Sequence, residues 1–528
     1  QKFVKWRYNE ITKFKKDFYE ASKKEGRAIF FQHPFPLAFW PRSIIVMLKK
    51  LLEEHPEYAK MGFPKEFANW YIPMIYGADL EATAKLEDVL HFELYRKGVQ
   101  QPLWWYGVVM RLAQSVGNSK PIIVLNMQGY SPFDLYSLPE AELRLHIGEI
   151  VANHGNPLFA YYYPDIADKR GWDVVGQGFS DLKRCTEYFS DIQSVKYAAV
   201  LHSSSTTNRF DSEIRDRRHV NCLMGICKAL LQNHILFDLI NEEQLKKRIK
   251  DYKVLLLPNV GCMTEEIRKI IKGFVENGGG IVASYQSSLF SAAGDRFTNL
   301  GLADVFGVDY TGKEKIVHGT DSYMCIKRTH PVTQDLSRFK SIYIPSIGTQ
   351  LNLKESRKAL ATLMEESIVH YAPLGKDTQI PTIVVNTFGK GRSVYFPGAI
   401  GDMYLNFSVP EHAKLVSNAV RWAAGVESPI RVSNCPPTLE LTAYREEQGD
   451  RTVIHLVNSI RNEVNEPITY VSSEREIKVM MNVEDEKAEY NVFTIPEKEY
   501  LSAKIWRRKL CFTVPEFRYH VAVVVEKK

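Results

Sequence analysis

The sequence predicts an α/β protein with an all-β tail, and three observations carry this prediction. Apolar strands alternate with helices over residues 1–192. The stretch 254–284 has the pattern of one strand, one helix and a second strand. From residue 426 onward, short alternating strands follow one another without long helices between them. We therefore expect three segments, 1–192, 193–425 and 426–528, of which the first two contain parallel sheets and the last is a small β-sandwich.

The first segment contains four β/α repeats. The expected strands are 28–32, 88–93, 121–127 and 158–163, and the expected helices are 8–24, 43–54, 80–86, 104–116, 139–153 and 180–189. The first helix places Ile11, Phe14, Phe18 and Ala21 on one face. Four parallel repeats make up the C-terminal half of a (β/α)8 TIM barrel. A small doubly wound domain is the alternative that the repeat pattern leaves open.

The second segment is best defined by the stretch 254–284. The apolar strand Val254–Leu257 leads through a turn to a helix that Thr264 can cap, with two acids in its first turn. The triplet Gly278–Gly280 ends this helix, and since it does not open one, it is not a phosphate-binding loop. One βαβ unit implies a parallel sheet with a right-handed crossover. Elsewhere in the segment we expect a loop at 203–208, irregular backbone at 304–340 and a last helix at 412–424.

Composition and charge exclude several classes of protein. The chain of 528 residues is 45% hydrophobic and 25% charged, as ordinary globular proteins are. Its net charge of +6 arises from 68 basic and 62 acidic side chains that are dispersed along the sequence, so we expect no nucleic-acid partner. No apolar run reaches the ~18 residues that a membrane span requires. The seven cysteines lack the spacing of disulfide frameworks or metal sites, so we expect no metal, no other cofactor and a cytoplasmic location.

Several stretches, taken in order, resemble known glycoside hydrolases. They are WRYNEITKFKKDFYEASK, EDVLHFELYR, KPIIVLNMQG, the unit 254–284, GKGRSVYFPGAIGD and NAVRWAAG. The sequence is similar to enzymes with a TIM barrel, a β-galactosidase-type trimerisation domain (flavodoxin-like, related to class I amidotransferases) and a β-sandwich. The nearest group is that of the hypothetical glycosyl hydrolases and α-L-fucosidases. The resemblance implies a carbohydrate substrate and a homotrimer. It also implies that the N-terminal half of the barrel is missing, since helix 8–24 matches the helix after the fourth barrel strand.

The catalytic acid is expected at the end of the second strand. The resemblance implies hydrolysis of terminal sugars from oligosaccharides or glycoconjugates by a retaining mechanism, which uses two carboxyl groups. Active sites of barrels lie at the C-terminal ends of the strands. Glu93 ends an apolar strand there, with His91 and Tyr95 beside it to tune its pKa and bind hydroxyl groups. A surface glutamate at the start of a loop is the alternative interpretation.

Other polar residues at the strand ends are expected to bind substrate. They are His33, His91, Gln128, Tyr163 and Asp165. In β-galactosidase relatives the nucleophile is a Glu on the seventh strand, where this sequence has Asn126-Met127-Gln128, and an amide cannot replace a carboxylate. In fucosidase-like relatives the nucleophile is an Asp after the fourth strand, which would lie before Gln1. A non-catalytic carbohydrate-binding or scaffold protein is the alternative function.

Two further features have competing interpretations. Trp104 and Trp105 could form a stacking platform for a sugar, but packing in a helical core is the favoured interpretation. Cys262 follows Gly261 as nucleophilic cysteines of amidotransferase-like domains do, but Met263 comes next and no His-x-Glu pair lies near the end of the segment. We therefore expect Cys262 to be structural.

Overall fold

The computed structural model describes residues 2–28, 30–34, 79–94, 102–117, 120–127, 129–130, 133–160, 168–210, 218–316, 323–336, 341–344, 347–353, 358–365, 373, 375–447, 449–461 and 467–528. Contacts divide the chain into two compact units. The first comprises Gln1–Val195 and Pro429–Lys528, and the second comprises Lys196–Ser212 and Asp216–Ser428. The C-terminal strands therefore belong to the same unit as the β/α repeats.

Up to residue 195, the described part of the first unit contains four parallel strands, a two-stranded hairpin, one further short strand and five α-helices. The strands are β1 (Phe30–Pro34), β2 (Val89–Glu93), β3 (Ile122–Met127), the hairpin β4 (Gly129–Tyr130) and β5 (Phe133–Ser137), β6 (Asn156–Ala160) and the short β7 (Ile192–Ser194). The helices are α1 (Lys2–Lys24), α2 (Leu80–Ala84), α3 (Trp105–Gly117), α4 (Glu140–Ala152) and α5 (Arg170–Arg184). The sheet has the order β1-β2-β3-β6, and all of its pairs are parallel. The expected helix 43–54 lies outside the described residues.

Helix α5 begins ten residues earlier than the sequence predicts, at Arg170 instead of residue 180. Three glycines in its first nine residues lower the helix propensity of this stretch. Packing explains one of them, because a Cβ at Gly178 would lie 2.5 Å from Cδ1 of Ile147 on α4. The close approach of the two helices thus favours a small residue at a position where the sequence pattern treats glycine as unfavourable.

Helix α1 exposes the face that the sequence marks as apolar. Phe14 is 66% exposed and Phe18 is 50% exposed, whereas Lys15 is buried and lies 3.6 Å from the carboxylate of Glu87. The helical period identifies the residues that share a face, but it does not show which face packs inward.

In its described residues, the second unit contains a nine-stranded mixed sheet and two two-stranded sheets. Its strands are β8 (Ala198–Leu201), β9 (Phe237–Ile240), β10 (Val254–Leu257), β11 (Cys262–Met263), β12 (Gly280–Ser284), β13 (Phe290–Ser291), β14 (Val308–Ile316), β15 (Tyr323–Ile326), β16 (Ile342–Tyr343), β17 (Ile347–Leu353), β18 (Ala359–Met364), β19 (Asp377–Phe388) and β20 (Gly391–Phe396). Its helices are α6 (Ser204–Phe210), α7 (Arg218–Gln232), α8 (Glu242–Arg248), α9 (Glu265–Glu276), α10 (Ala303–Phe306), α11 (Ile400–Phe407) and α12 (Pro410–Ala424). The nine-stranded sheet has the order β16-β15-β18-β19-β20-β12-β10-β8-β9. The neighbouring strands β9, β8, β10, β12 and β20 pair in parallel, and β20 pairs with β19 in antiparallel orientation.

Two helices of this unit contact each other through glycine. A Cβ at Gly225 of α7 would lie 1.8 Å from the carbonyl oxygen of Gly401 in α11. A Cβ at Gly401 would lie 2.3 Å from the carbonyl oxygen of Cys222. Backbone-to-backbone contact at this distance leaves no room for any side chain, so both positions require glycine.

The C-terminal part of the first unit is antiparallel. Its strands are β21 (Ile430–Ser433), β22 (Glu440–Glu446), β23 (Arg451–Val457), β24 (Lys478–Asn482), β25 (Tyr490–Ile495), β26 (Ala503–Trp506), β27 (Lys509–Thr513) and β28 (His520–Lys527). They form one sheet in the order β21-β24-β27-β26 and another in the order β25-β28-β23-β22-β7. None of the helices in the described part of the chain has both the length and the apolar character needed to cross a membrane.

Candidate active site

The C-terminal ends of the parallel strands form one edge of the first unit's sheet. In the register of the strands, Pro34 pairs with Glu93, Glu93 with Leu125, and Leu125 with Leu158. Neighbouring strands lie about 4.8 Å apart, so these four residues form one row across the sheet. Glu93 stands in this row as the last residue of β2.

The two faces of β2 differ in their surroundings. Leu90 and Phe92 are fully buried, and Leu90 contacts α3 so closely that a Cβ at Gly117 would lie 2.7 Å from its Cδ1. Successive side chains of a strand point to opposite faces. His91 and Glu93 therefore share the face that points away from α3. His91 is buried and Glu93 is half-buried.

The same face is apolar and more open on the neighbouring strands. Ile123 and Leu125 of β3 are half-buried, and Leu158 of β6 is 42% exposed. Strand register places these residues beside His91 and Glu93. The carboxyl group of Glu93 thus sits among apolar neighbours at the edge where barrel enzymes bind substrate.

Burial raises the pKa of Glu93 above its usual range. A carboxyl group with a raised pKa holds its proton at a higher pH, as a general acid must. The acids at the opposite end of β2 have structural partners instead: the Glu87 carboxylate lies 3.6 Å from Lys15 Nζ, and that of Asp88 lies 2.7 Å from Lys23 Nζ. Glu93 is therefore the acid of this strand that is suited to proton transfer.

Hydrogen bonds hold the backbone that follows Glu93. The Leu94 N–H donates to the carbonyl of Leu125 at 2.9 Å, and the Tyr106 hydroxyl donates to the carbonyl of Leu94 at 2.8 Å. Trp104 and Trp105 precede this tyrosine and are 2% and 0% exposed. Their burial confirms the core interpretation, so they do not form a stacking platform.

The structure brings together His91 and Glu93 among the predicted site residues. His33 is the second-last residue of β1, and its backbone pairs in register with Phe92. Gln128, Tyr163 and Asp165 lie outside the described residues. Within the part of the chain that the structure describes, no three His, Cys, Asp or Glu side chains come together so that they could hold a metal ion.

Cys262 of the second unit is not placed for nucleophilic chemistry. It is 1% exposed, and burial raises the pKa of its thiol to about 12. Its backbone N–H donates to the hydroxyl of Thr206 at 3.1 Å. A buried thiol that stays protonated at neutral pH is inert, in agreement with the structural role expected from the sequence.

Comparison with known proteins relates the chain to carbohydrate-processing enzymes. Residues 259–428 match the family described as the lacto-N-biose phosphorylase central domain. A segment of 168 residues is 30% identical to the 1,3-beta-galactosyl-N-acetylhexosamine phosphorylase of Lachnoclostridium phytofermentans, covering 32% of this chain and 19% of that protein. The motifs quoted above resemble glycosidases, and this phosphorylase family was not expected from them.

Solved glycosidase structures share the fold over most of the chain. The α-L-fucosidase isoenzyme 2 of Paenibacillus thiaminolyticus is similar with a TM-score of 0.65 and 17% identity, over 84% of this chain and 66% of that one. The β-galactosidase of Bacillus circulans sp. alkalophilus is similar with a TM-score of 0.62 and 15% identity, over 87% of this chain and 62% of that one. The expected mixed α/β, glycoside-hydrolase-like fold is therefore confirmed. The chain spans about two thirds of these structures.

Proposed function

We propose that this chain is the C-terminal part of a glycoside hydrolase that removes terminal sugars from oligosaccharides or glycoconjugates. The position of Glu93 carries the proposal. Its carboxyl group is half-buried, has a raised pKa and lies in the row of residues at the C-terminal ends of the parallel strands. The fold shared with an α-L-fucosidase and a β-galactosidase supports it.

In this proposal Glu93 protonates the oxygen of the leaving sugar and then, as a base, activates the water that completes a retaining reaction. His91 lies on the same face, two residues before it, and serves sugar binding. His33, Gln128, Tyr163 and Asp165 are proposed to complete the binding site. The nucleophilic carboxylate lies outside this chain, as in the fucosidase-like arrangement.

Exposed apolar surface supports the proposal that residues 1–192 are half of a barrel. Phe14 and Phe18 are at least half exposed on α1, and Leu158 is exposed on the face of the sheet opposite α3. In a closed barrel that face is filled by layers of side chains from all eight strands. We propose that residues 193–425 form the trimerisation-type domain and residues 426–528 a sandwich domain.

The test replaces Glu93 by Gln in a protein with the complete barrel. Loss of the acid should lower turnover at least ~100-fold on glycosides with poor leaving groups, and less on activated aryl glycosides that need little protonation. Azide should restore turnover of the activated substrate. Glu276→Gln, on the exposed side of α9, is the control and should behave as the parent does. The 528-residue chain alone should show little activity.

Equal losses on both classes of substrate without azide rescue would assign Glu93 to sugar binding. Parent-like turnover in Glu93→Gln would refute the role of Glu93 as the acid, and no turnover by the parent on any glycoside, with or without phosphate, would favour a non-catalytic carbohydrate-binding or scaffold protein.

Phosphorolysis is a second candidate reaction, and the match of residues 259–428 to a phosphorylase domain favours it. Inorganic phosphate would then take the place of water as the acceptor, and Glu93 would still protonate the leaving oxygen. The two reactions differ in their products. Release of a sugar 1-phosphate that depends on added phosphate indicates phosphorolysis, whereas release of free sugar without phosphate indicates hydrolysis.

The resemblance also leads us to propose a homotrimer, which light scattering would show as three times the mass of one chain. A strict monomer would contradict it. All seven cysteines lie in the described part of the chain and none forms a disulfide, which supports a cytoplasmic location.

A further inference from the structure

One face of the sheet β21-β24-β27-β26 is basic, although charge is dispersed along the sequence as a whole. In the register of the strands, Arg431 pairs with Met480, Met480 with Cys511, and Cys511 with Lys504. Residues that pair in this way share a face of the sheet. Strand alternation adds three positions on each side of this row, five of them polar or charged and the sixth Trp506.

The basic face consists of Arg431, Lys478, Lys504, Trp506 and Lys509. Lys478 and Lys504 are exposed, Trp506 is 64% exposed, and Arg431 and Lys509 are half-buried. The other positions on this face are Ser433, Met480, Asn482, Cys511 and Thr513. All of these strand residues belong to the described part of the chain, and none of them is acidic.

The opposite face of the same sheet is the core of this part of the unit. Val479, Met481, Leu510 and Phe512 are each at most 4% exposed. Their burial fixes the register, because a slip by one residue would bury the lysines and expose the core. The basic face is therefore a defined surface, about 14 Å wide across four strands that lie ~4.8 Å apart.

The turn between β26 and β27 extends the positive charge. Arg507 and Arg508 are exposed and adopt left-handed backbone angles, with φ of 49° and 58°. The guanidinium of Arg507 lies 4.6 Å from the centre of the Trp506 ring, a cation–π distance. Acidic residues occur beyond the ends of β24, at Glu476 and at 484–486, so they flank the basic face and do not interrupt it.

Protection of a sheet edge does not explain this arrangement. Edge strands often carry lysine to prevent association with other chains, and Lys504 lies on the edge strand β26. Lys478 and Lys509, however, lie on the inner strands β24 and β27. An exposed tryptophan on the edge would also promote association. The lysines and the exposed tryptophan ring are therefore better explained by binding of a ligand than by prevention of association with other chains.

We propose that the basic face binds an anionic polysaccharide, a glycan chain whose sugars carry carboxylate or sulfate groups. Ammonium and guanidinium groups form charge-assisted hydrogen bonds with such anions. The exposed ring of Trp506 supplies an apolar surface on which the C–H face of a sugar can pack. The choice of a glycan over other polyanions rests on the proposed function, since an enzyme that cleaves glycosides gains from a surface that holds glycan chains.

Affinity electrophoresis of the 528-residue chain tests the proposal with defined probes. The gels contain polygalacturonate, heparin or, as the uncharged control, dextran. We expect retardation by one of the two anionic glycans, weakening with added salt, and none by dextran. The double variant Lys478→Glu/Lys504→Glu and the single variant Trp506→Ala should each bind at least ~10-fold more weakly, which corresponds to about 1.4 kcal/mol.

Matched variants distinguish binding by the basic face from an effect of net charge alone. Lys250→Glu/Lys390→Glu makes the same change of net charge on exposed lysines of the second unit, and Tyr470→Ala removes an aromatic ring that is 70% exposed. Both should bind as the parent does. Equal loss in these controls would overturn the assignment to the basic face. Stronger retardation of the protein by polygalacturonate than by heparin indicates a carboxylated ligand, and the reverse indicates a sulfated one. No retardation by either glycan would overturn the proposal.

Nucleic acid is the competing polyanion. A single-stranded DNA oligonucleotide of matched charge should compete weakly, and competition as strong as that of the glycan would overturn the choice of a polysaccharide. The binding measurement requires no turnover. A chain that binds glycan while the complete protein cleaves no glycoside would refute the proposed function alone, and the reverse result would refute this inference alone.

Discussion

A buried ion pair connects helix α3 to strand β22 and gives a sharp test of the first unit. Arg111 Nη2 donates to Glu440 Oε1 at 2.8 Å, and the two side chains are 6% and 0% exposed. The Asn153 amide donates to the same oxygen at 3.2 Å. The pair thus links the β/α repeats to the C-terminal strands within one unit.

A second buried carboxyl group lies beside this pair. Glu149 accepts a hydrogen bond from the backbone N–H of Gly107 at 3.1 Å. Burial, and then the charge of Glu440, raise the pKa of Glu149 well above its usual range. The raised pKa favours the neutral form of Glu149, and the Glu440 carboxylate is the group that contacts the Arg111 guanidinium.

We expect Arg111→Met to lower the free energy of unfolding by about 3–5 kcal/mol, because it leaves the Glu440 carboxylate buried without its counter-charge. Glu440→Leu should lower the free energy of unfolding by a similar amount, because it leaves the Arg111 guanidinium buried without its counter-charge. The double variant Arg111→Met/Glu440→Leu should cost clearly less than the sum, since apolar residues can replace both charges together. The matched control is Arg144→Met, which breaks an exposed pair with Glu140 and should cost less than about 1 kcal/mol.

Urea unfolding followed by tryptophan fluorescence measures these free energies, since Trp104 and Trp105 are buried at the start of α3. The reasoning fails if the Arg111 and Glu440 effects add to within about 0.5 kcal/mol, which is the behaviour of independent sites. It also fails if Arg111→Met costs no more than Arg144→Met.

Three further substitutions test the second unit. Gly225→Ala should destabilise the chain by about 1–3 kcal/mol in urea unfolding, because its Cβ has no space against the carbonyl of Gly401, and a neutral result would contradict the described contact. Thr264→Ala should cost about 1 kcal/mol in the same assay, since the Thr264 hydroxyl accepts the N–H of Ile267 at 3.2 Å and caps α9; an unchanged midpoint would argue against that cap. Cys262→Ala should leave glycoside cleavage unchanged, and ammonia release from glutamine by the parent that disappears in the variant would refute the structural role.

Local signals predicted the best-defined parts of the fold. The strand Val254–Leu257 and the cap at Thr264 are observed as expected, because an apolar run and a capping residue act within a few positions. The stretch 203–208 was expected to be a loop, but α6 begins at Ser204, where Thr206 hydrogen-bonds to Cys262 fifty-six positions away. No local pattern contains that partner.

Long-range pairing explains the other large difference. The sequence predicts irregular backbone at 304–340, yet this stretch contains part of α10 and the strands β14 and β15. β14 pairs with β17, and β15 pairs with β16 and β18, which follow later in the chain. A polar strand such as β14 is defined by its partner and not by its own periodicity.

In the candidate site, too, local sequence predicts some features, whereas others depend on long-range pairing. Strand alternation and the end of an apolar run were enough to single out Glu93, and the structure places it at the expected edge beside His91. The raised pKa of Glu93 depends on burial by neighbouring strands, which the sequence does not contain. The basic face was missed for a related reason: its four charges come from four strands, and only the register brings them together.

Two buried histidines should make the free energy of unfolding depend on pH below neutrality. His455 Nδ1 and His520 Nε2 lie 2.9 Å apart on the adjacent strands β23 and β28, with ring planes only 10° apart. One nitrogen donates and the other accepts, so the accepting ring must be neutral. Burial lowers the pKa of His520 to about 4, and burial followed by the charge of His520 lowers that of His455 well below its usual range.

In the unfolded chain both histidines take up a proton near pH ~6.5, whereas in the folded chain they resist it. The unfolded state therefore binds more protons below this pH, and the free energy of unfolding falls as the pH drops from ~6.5 towards ~4, by up to about 1.4 kcal/mol per pH unit for each group. His455→Gln/His520→Gln removes both titrations. In urea unfolding between pH ~7 and ~4.5, the variant should start less stable and lose less with each step of pH than the parent. A parent whose stability is flat over this range, or a variant with the same slope as the parent, would show that the pair is not held neutral by the fold.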